Sequence, residues 1–111
     1  NRCCPEAQLT GKYIFGLMII RIVKMTFTPE KTGDFIAIFN ERKNLIASFN
    51  GCQSVELFKD VSTPNIFFTY SLWNNEASLE NYRKSDLFNE VWGTVKTWFS
   101  DKPQAWSVEK I

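Results

Sequence analysis

Residues 18–27 (MIIRIVKMTF) carry large apolar groups on both sides of an extended chain. Ile20 and Ile22 share one side, and Ile19, Val23, Met25 and Phe27 share the other, which predicts a strand buried on both faces. Thr28-Pro29-Glu30 reads as a helix start, with a cap residue, a proline in the first turn and an acid behind it; Gly33 moves the alternative start to Asp34. Phe35, Ile38, Phe39, Arg42, Leu45, Ile46 and Phe49 then recur at helical spacing, and Asn50-Gly51 closes the helix. Asn40 and Arg42 fall on its solvated edge.

The second half repeats the alternation. Residues 52–60 predict a strand, 60–65 (DVSTPN) a turn-rich loop, and 66–73 (IFFTYSLW) another strand apolar on both sides. Asn74-Asn75 cap a short helix over 76–84. Ser85 caps a second over 86–99, whose wide apolar face holds Leu87, Phe88, Val91, Trp92, Val95, Trp98 and Phe99. Lys102-Pro103 stops it. Residues 104–109 form a closing strand with Trp106 and Val108 on one side. The order βαββαβ is the ferredoxin-like α+β pattern, an antiparallel sheet with its helices on one face. The first strand spans about 33 Å and the first helix about 31 Å, so one can lie back along the other.

Helices cover only one side of such a sheet, yet both sides are apolar here. The uncovered side is too large an apolar patch for a soluble monomer, which predicts a homodimer through the sheet face, unless the N-terminal segment covers it. Residues 1–17 have no clear period and lack the build of a signal peptide, so they read as an N-terminal extension or tail of a domain at 18–111, with Met18 as an alternative start. No apolar run approaches the about 20 residues of a membrane span.

Charge and composition narrow the chemistry. With 13 Lys+Arg against 12 Asp+Glu, the net charge of +1 argues against a nucleic-acid partner. The 111 residues include no histidine. That excludes Ser-His-Asp and Cys-His nucleophile systems, histidine metal ligation and a histidine proton shuttle. Cys3, Cys4 and Cys52 are an odd set with an adjacent pair and no C-x-x-C, neither a disulfide framework nor a metal site. The compartment reads as reducing and cytoplasmic. The chain is rich instead in aromatic rings, 10 Phe, 4 Trp and 3 Tyr.

The segment FFTYSLWNNEASLENYRKSDLF, with a tryptophan ending the third strand and a Ser-Asp-Leu-Phe helix start, resembles the antibiotic biosynthesis monooxygenase domain family over residues 18–111. The resemblance implies a dimeric α+β barrel. It also implies one of several activities, among them cofactor-free oxygenation and haem degradation. In the haem-degrading branch an asparagine stands on the first strand where this chain has Lys24, a tryptophan ends the third strand as Trp73 does, and a histidine ligates iron where this chain has Trp92. An indole cannot donate a lone pair to iron, so the haem branch is disfavoured.

The quinone-forming branch implies an apolar pocket, a stacking aromatic and a polar group that stabilises a phenolate, with no cofactor and no metal. By that resemblance Trp73 is the stacking ring and Thr69 stands where the branch has an asparagine. Lys24, with Ile20, Ile22 and Thr26, lies on the helix side of the sheet. Strand parity puts Phe67, Thr69, Ser71 and Trp73 on one face; the resemblance implies that this face meets the helices, with Ile66, Phe68, Tyr70 and Leu72 toward a partner. The catalytic candidates are Trp73, Lys24 and Thr69, and the pocket candidates are Phe35, Phe39, Phe67, Ser71, Phe88 and Trp92; Tyr82 and Arg83 fall at the pocket mouth. Two functions are expected: a cofactor-independent monooxygenase acting on a small aromatic or quinol-like compound, or a non-catalytic homodimeric module that binds a small apolar or aromatic ligand.

Overall fold

Phe27 is fully buried and locks one end of the domain. Its amide donates to the Asn65 carbonyl (2.9 Å), the Asn65 side-chain amide donates to the Phe27 carbonyl (2.7 Å), and its ring stacks on Phe35 at 4.3 Å between centroids. Around this anchor the structure, a computed structural model, describes residues 18–111. The reading of residues 1–17 lies outside the described residues.

Among the described residues, four strands and three helices follow in the expected order. They are β1 (Ile19–Thr26), α1 (Thr32–Ala47), β2 (Cys52–Lys59), β3 (Ile66–Trp73), α2 (Glu76–Arg83), α3 (Asp86–Val95) and β4 (Gln104–Val108). The sheet order is β2-β3-β1-β4, antiparallel throughout, which is the ferredoxin-like arrangement. The two apolar strands β1 and β3 therefore hold the sheet centre. The core joins Met25, Phe27, Val55 and Phe67 of the sheet side to Phe35, Phe39 and Ile46 of α1 and Val95 of α3.

The helix ends differ from expectation in physically clear ways. Pro29–Lys31 form a 3-10 turn, and Thr28 makes no side-chain cap; Thr32 Oγ1 instead donates to the Pro29 carbonyl (3.1 Å). The last helix stops at Val95 and tightens into a 3-10 turn over Lys96–Trp98. There the Trp98 carbonyl accepts the Thr28 amide (2.9 Å), and Phe99 bridges to Phe27. The caps inside the second half stand where expected. The Asn75 side chain accepts from the Ser78 amide (2.8 Å), and Ser85 Oγ accepts from the Phe88 amide (3.1 Å) while donating to the Tyr82 carbonyl (2.6 Å). Arg42 is not a purely solvated edge residue. It is half-buried and reaches from α1 to Glu90 of α3, Nη2 to Oε2 at 3.2 Å.

Register settles which side chains share a face. Residues opposite one another in an antiparallel pair point the same way. Opposite Trp73, Ser71, Thr69 and Phe67 stand Ile19, Arg21, Val23 and Met25. Lys24 stands opposite Phe68 and Gln104. It therefore lies on the sheet face away from the helices, with Ile20, Ile22 and Thr26, and its expected place on the helix side is corrected. The apolar periodicity with Met25 and Phe27 already points inward at odd positions of β1. The resemblance sets β1 one residue out of phase with its own apolar pattern.

Candidate functional site

Between the helices and the middle of the sheet lies a cavity of about 340 Å³. Its floor is Arg21 and Val23 of β1 with Thr69, Ser71 and Trp73 of β3; Phe35 and Phe39 of α1, Tyr82 of α2, and Phe88 and Trp92 of α3 form its walls. Arg83 and Gln104, both exposed, stand where it meets solvent. An apolar cavity of about 150 Å³ suffices for benzene, so there is room for a fused two-ring compound. The wall is mostly carbon, with a few polar groups, the usual composition of a small-molecule site.

The sheet floor is graded. One cross-strand row reads Val55, Ser71, Arg21, Ser107; the next reads Leu57, Thr69, Val23, Ala105; beyond it Phe67 faces Met25. Polar groups concentrate in the first row and disappear toward the anchored Phe27 end. Phe67 belongs to that closed end. It is buried edge-on against Phe35 (5.4 Å) and Phe27 (5.9 Å) in the aromatic core, so its expected place in the pocket wall is corrected. The other expected pocket residues, Phe35, Phe39, Ser71, Phe88 and Trp92, do line the cavity, as do Trp73 and Thr69. Lys24 does not.

Trp73 is 1 % exposed, and its Nε1 donates to Ser71 Oγ at 2.9 Å. One face of the indole is already taken by Tyr82, stacked at 4.9 Å, and Phe49 stands edge-on at 6.4 Å. From Tyr82 the rings continue to Phe88 (5.3 Å), then to Trp92 parallel to it (5.8 Å), then to Phe99 (5.4 Å). Such pairs add to the apolar burial and stiffen the helix side of the cavity.

A bulge supplies one further neighbour. Cys52 pairs with Trp73 and Ser54 with Leu72, so Gln53 is an extra residue that swings Cys52 onto the helix face. The Gln53 side-chain amide also bonds Asn74 Oδ1. Burial pushes the Cys52 thiol up, opposed in part by a backbone hydrogen bond at Ser54. Burial, with Cys52 nearby, pushes the Tyr82 phenol up to about 12, so Tyr82 is a hydrogen-bond donor and not a base at neutral pH.

Arg21 is the residue that sequence reasoning missed. It is half-buried, its Nη1 donates to Ser107 Oγ (2.9 Å), and it is one of the residues that line the cavity. Burial lowers its pKa first, nearby Arg83 lowers it further, and Glu80 opposes both. Among the described residues no cluster of three or more His, Cys, Asp or Glu could hold a metal, and no helix is long and apolar enough to cross a membrane.

Residues 18–91 match the antibiotic biosynthesis monooxygenase family. The fold is similar to a conserved protein of Methanosarcina mazei, at 21% identity and a TM-score of 0.81, covering 86% of this chain and 94% of that one. A Nitrosomonas europaea protein provisionally named an antibiotic biosynthesis monooxygenase is similar at 15% identity and a TM-score of 0.81, over 90% of this chain and 96% of that one. Another so named, from Bordetella bronchiseptica, is similar at 24% identity and a TM-score of 0.77, over 86% of this chain and 98% of that one. Among curated proteins, none matches the sequence.

Proposed function

Because the chain belongs to the antibiotic biosynthesis monooxygenase family, we propose that it is a cofactor-independent monooxygenase acting on a small aromatic, phenolic or quinol-like compound. The observation that carries this reading is the 340 Å³ cavity walled by aromatic rings, with its polar groups gathered at one end. An electron-rich phenol loses a proton to solvent water at the cavity mouth, and the resulting anion reduces O₂ directly. In net form a ring CH₂, or the CH of its phenol tautomer, plus O₂ becomes a carbonyl plus water. The carbon gives up four electrons and O₂ takes all four, so no external reductant is required.

In this reading Trp73, held by Tyr82 and Phe49, is part of the rigid wall that orients the ring. Thr69 donates a hydrogen bond to the phenolate oxygen as charge builds there. The aromatic walls exclude water and strengthen that bond. O₂ uptake with a panel of hydroquinols and anthrones tests it. Faster uptake with the protein, reduced in Trp73→Phe, is the expected result; equal rates with and without the protein would overturn it.

A second reading has its own observation. Among the described residues, the ionisable side chains on the cavity are two guanidiniums and the phenol of Tyr82, which offer no base at neutral pH. A non-catalytic ligand-binding module needs none. It is expected to bind aromatic compounds without consuming O₂.

Under either reading the chain acts as a homodimer through the open sheet face. Ile22, Phe68, Tyr70 and Leu72 share that face with Trp106 and Phe58, the last two 43% and 48% exposed. The odd, unpatterned cysteine set supports a reducing, cytoplasmic setting.

A further inference from the structure

The row Ser71–Arg21–Ser107 is donor-rich. Ser71 Oγ already accepts the Trp73 indole N–H, so its own proton is free to be donated. Ser107 Oγ accepts from Arg21, which spends one of the five guanidinium N–H donors and leaves the rest. Among the described residues Arg21 makes no ion pair. Its neighbour at the cavity mouth, Arg83, pairs with Glu80 through Nη1 to Oε1 at 3.2 Å, so two cations and one anion meet there. Among the described residues the half-buried guanidinium of Arg21 shares its nearby anion, Glu80, with Arg83, which leaves one positive charge unmatched. Its planar fork fits a carboxylate better than a lone hydroxyl oxygen.

We propose that the cavity takes an aromatic carboxylate, with the carboxylate held by Arg21 on the polar row and the ring directed toward Val23, Phe35 and Phe39. This rests on the reading of the cavity as the substrate site. It adds that the compound is an anion before any chemistry begins, distinct from the phenolate formed during the reaction. Arg21 is then the residue that sets specificity. Arg83 raises the local potential and draws the anion to the mouth.

Binding of three probes of similar size tests this, read by quenching of tryptophan fluorescence at pH 7: 2-naphthoate, 2-naphthol and 2-naphthalenemethanol. A charge-assisted bidentate contact predicts that 2-naphthoate binds roughly tenfold or more tightly than either neutral probe. The preference shrinks to about twofold or less in Arg21→Gln and is partly kept in Arg21→Lys. Equal binding of naphthoate and the neutral probes by the unaltered protein would overturn the proposal, and that comparison needs no variant to fold. A preference that survives intact in Arg21→Gln would overturn it as well. If no probe binds, the cavity is not a ligand site, and both this proposal and the substrate reading fall. If neutral phenols are oxidised with O₂ uptake while naphthoate has no advantage, the proposal alone falls.

Discussion

Trp73 Nε1 donates a 2.9 Å hydrogen bond to Ser71 Oγ, two residues back on the same face of β3. Both residues are buried, so neither group can turn to water for a replacement. Ser71→Ala leaves the indole N–H without its partner, and a cost of about 1–3 kcal/mol is expected. Trp73→Phe removes the donor and part of the ring volume, with a loss of about 1–3 kcal/mol. The double variant is expected to lose about 1 kcal/mol less than the two single losses together, because the second change removes a group already orphaned by the first. Urea unfolding at one fixed protein concentration measures all three.

Gly51 holds a φ of 91°, and a Cβ there would collide with the Ser78 side chain at the start of α2. Gly51→Ala is expected to destabilise by about 1–3 kcal/mol through both effects. The same substitution in a Ser78→Gly background costs less, since the collision is gone and only the backbone strain remains. Thermal unfolding of the four proteins in this cycle separates the two contributions.

Tyr82 titrates near 12 in the folded protein, against about 10 for an ordinary tyrosine. Folding favours its protonated form, so its stabilising contribution is complete below pH 10 and is lost as the pH rises from about 10 toward about 12. Tyrosinate absorbance should show one late-titrating phenol that disappears in Tyr82→Phe. That variant should also show a shallower loss of stability in the same alkaline window.

Phe68 and Trp106 lie on the open sheet face that is proposed to pair with a second copy. A charge at either place, Phe68→Lys or Trp106→Asp, is expected to convert a dimer of twice the chain mass to monomer at micromolar concentration. Sedimentation equilibrium reads the mass. Cavity binding of an uncharged aromatic probe by the monomer then reports whether the partner is needed for the site. A monomeric unaltered protein would contradict the dimer.

Much of the fold was legible because two periodicities are strong. Odd positions of β3 and the 3.6-residue repeats of α1 and α3 name most of the cavity wall. Legibility failed where one residue changes phase. A bulge at Gln53 has no signal in a run that alternates plausibly without it. Lys24 was placed inward by resemblance, although Val23, Met25 and Phe27 mark the odd face of β1 as the inner one.

Arg21 escapes a reading of β1 that rests on its apolar positions alone. The available signal was that it is the one charged residue on the inner parity of a central strand, a position costly to occupy with a charge unless something pairs with it. Phe67 shares the parity of Trp73 but lies at the closed end of the floor. Strand alternation reports the face and says nothing of how far along the strand a cavity extends.

The interleaving of the two faces on β1 and β3 separates what substitutions can change. Every second residue faces the helix-covered core and cavity and the residues between face the open side of the sheet, so each set can drift while the other stays intact. The arrangement has one shared weakness. Insertion or deletion of a single residue within β1 would exchange the two sets, sending Arg21 outward and the apolar Ile20 or Ile22 into the cavity floor. Point substitution is thus the tolerant route for adapting this domain to new ligands, and a change of strand length is the intolerant one.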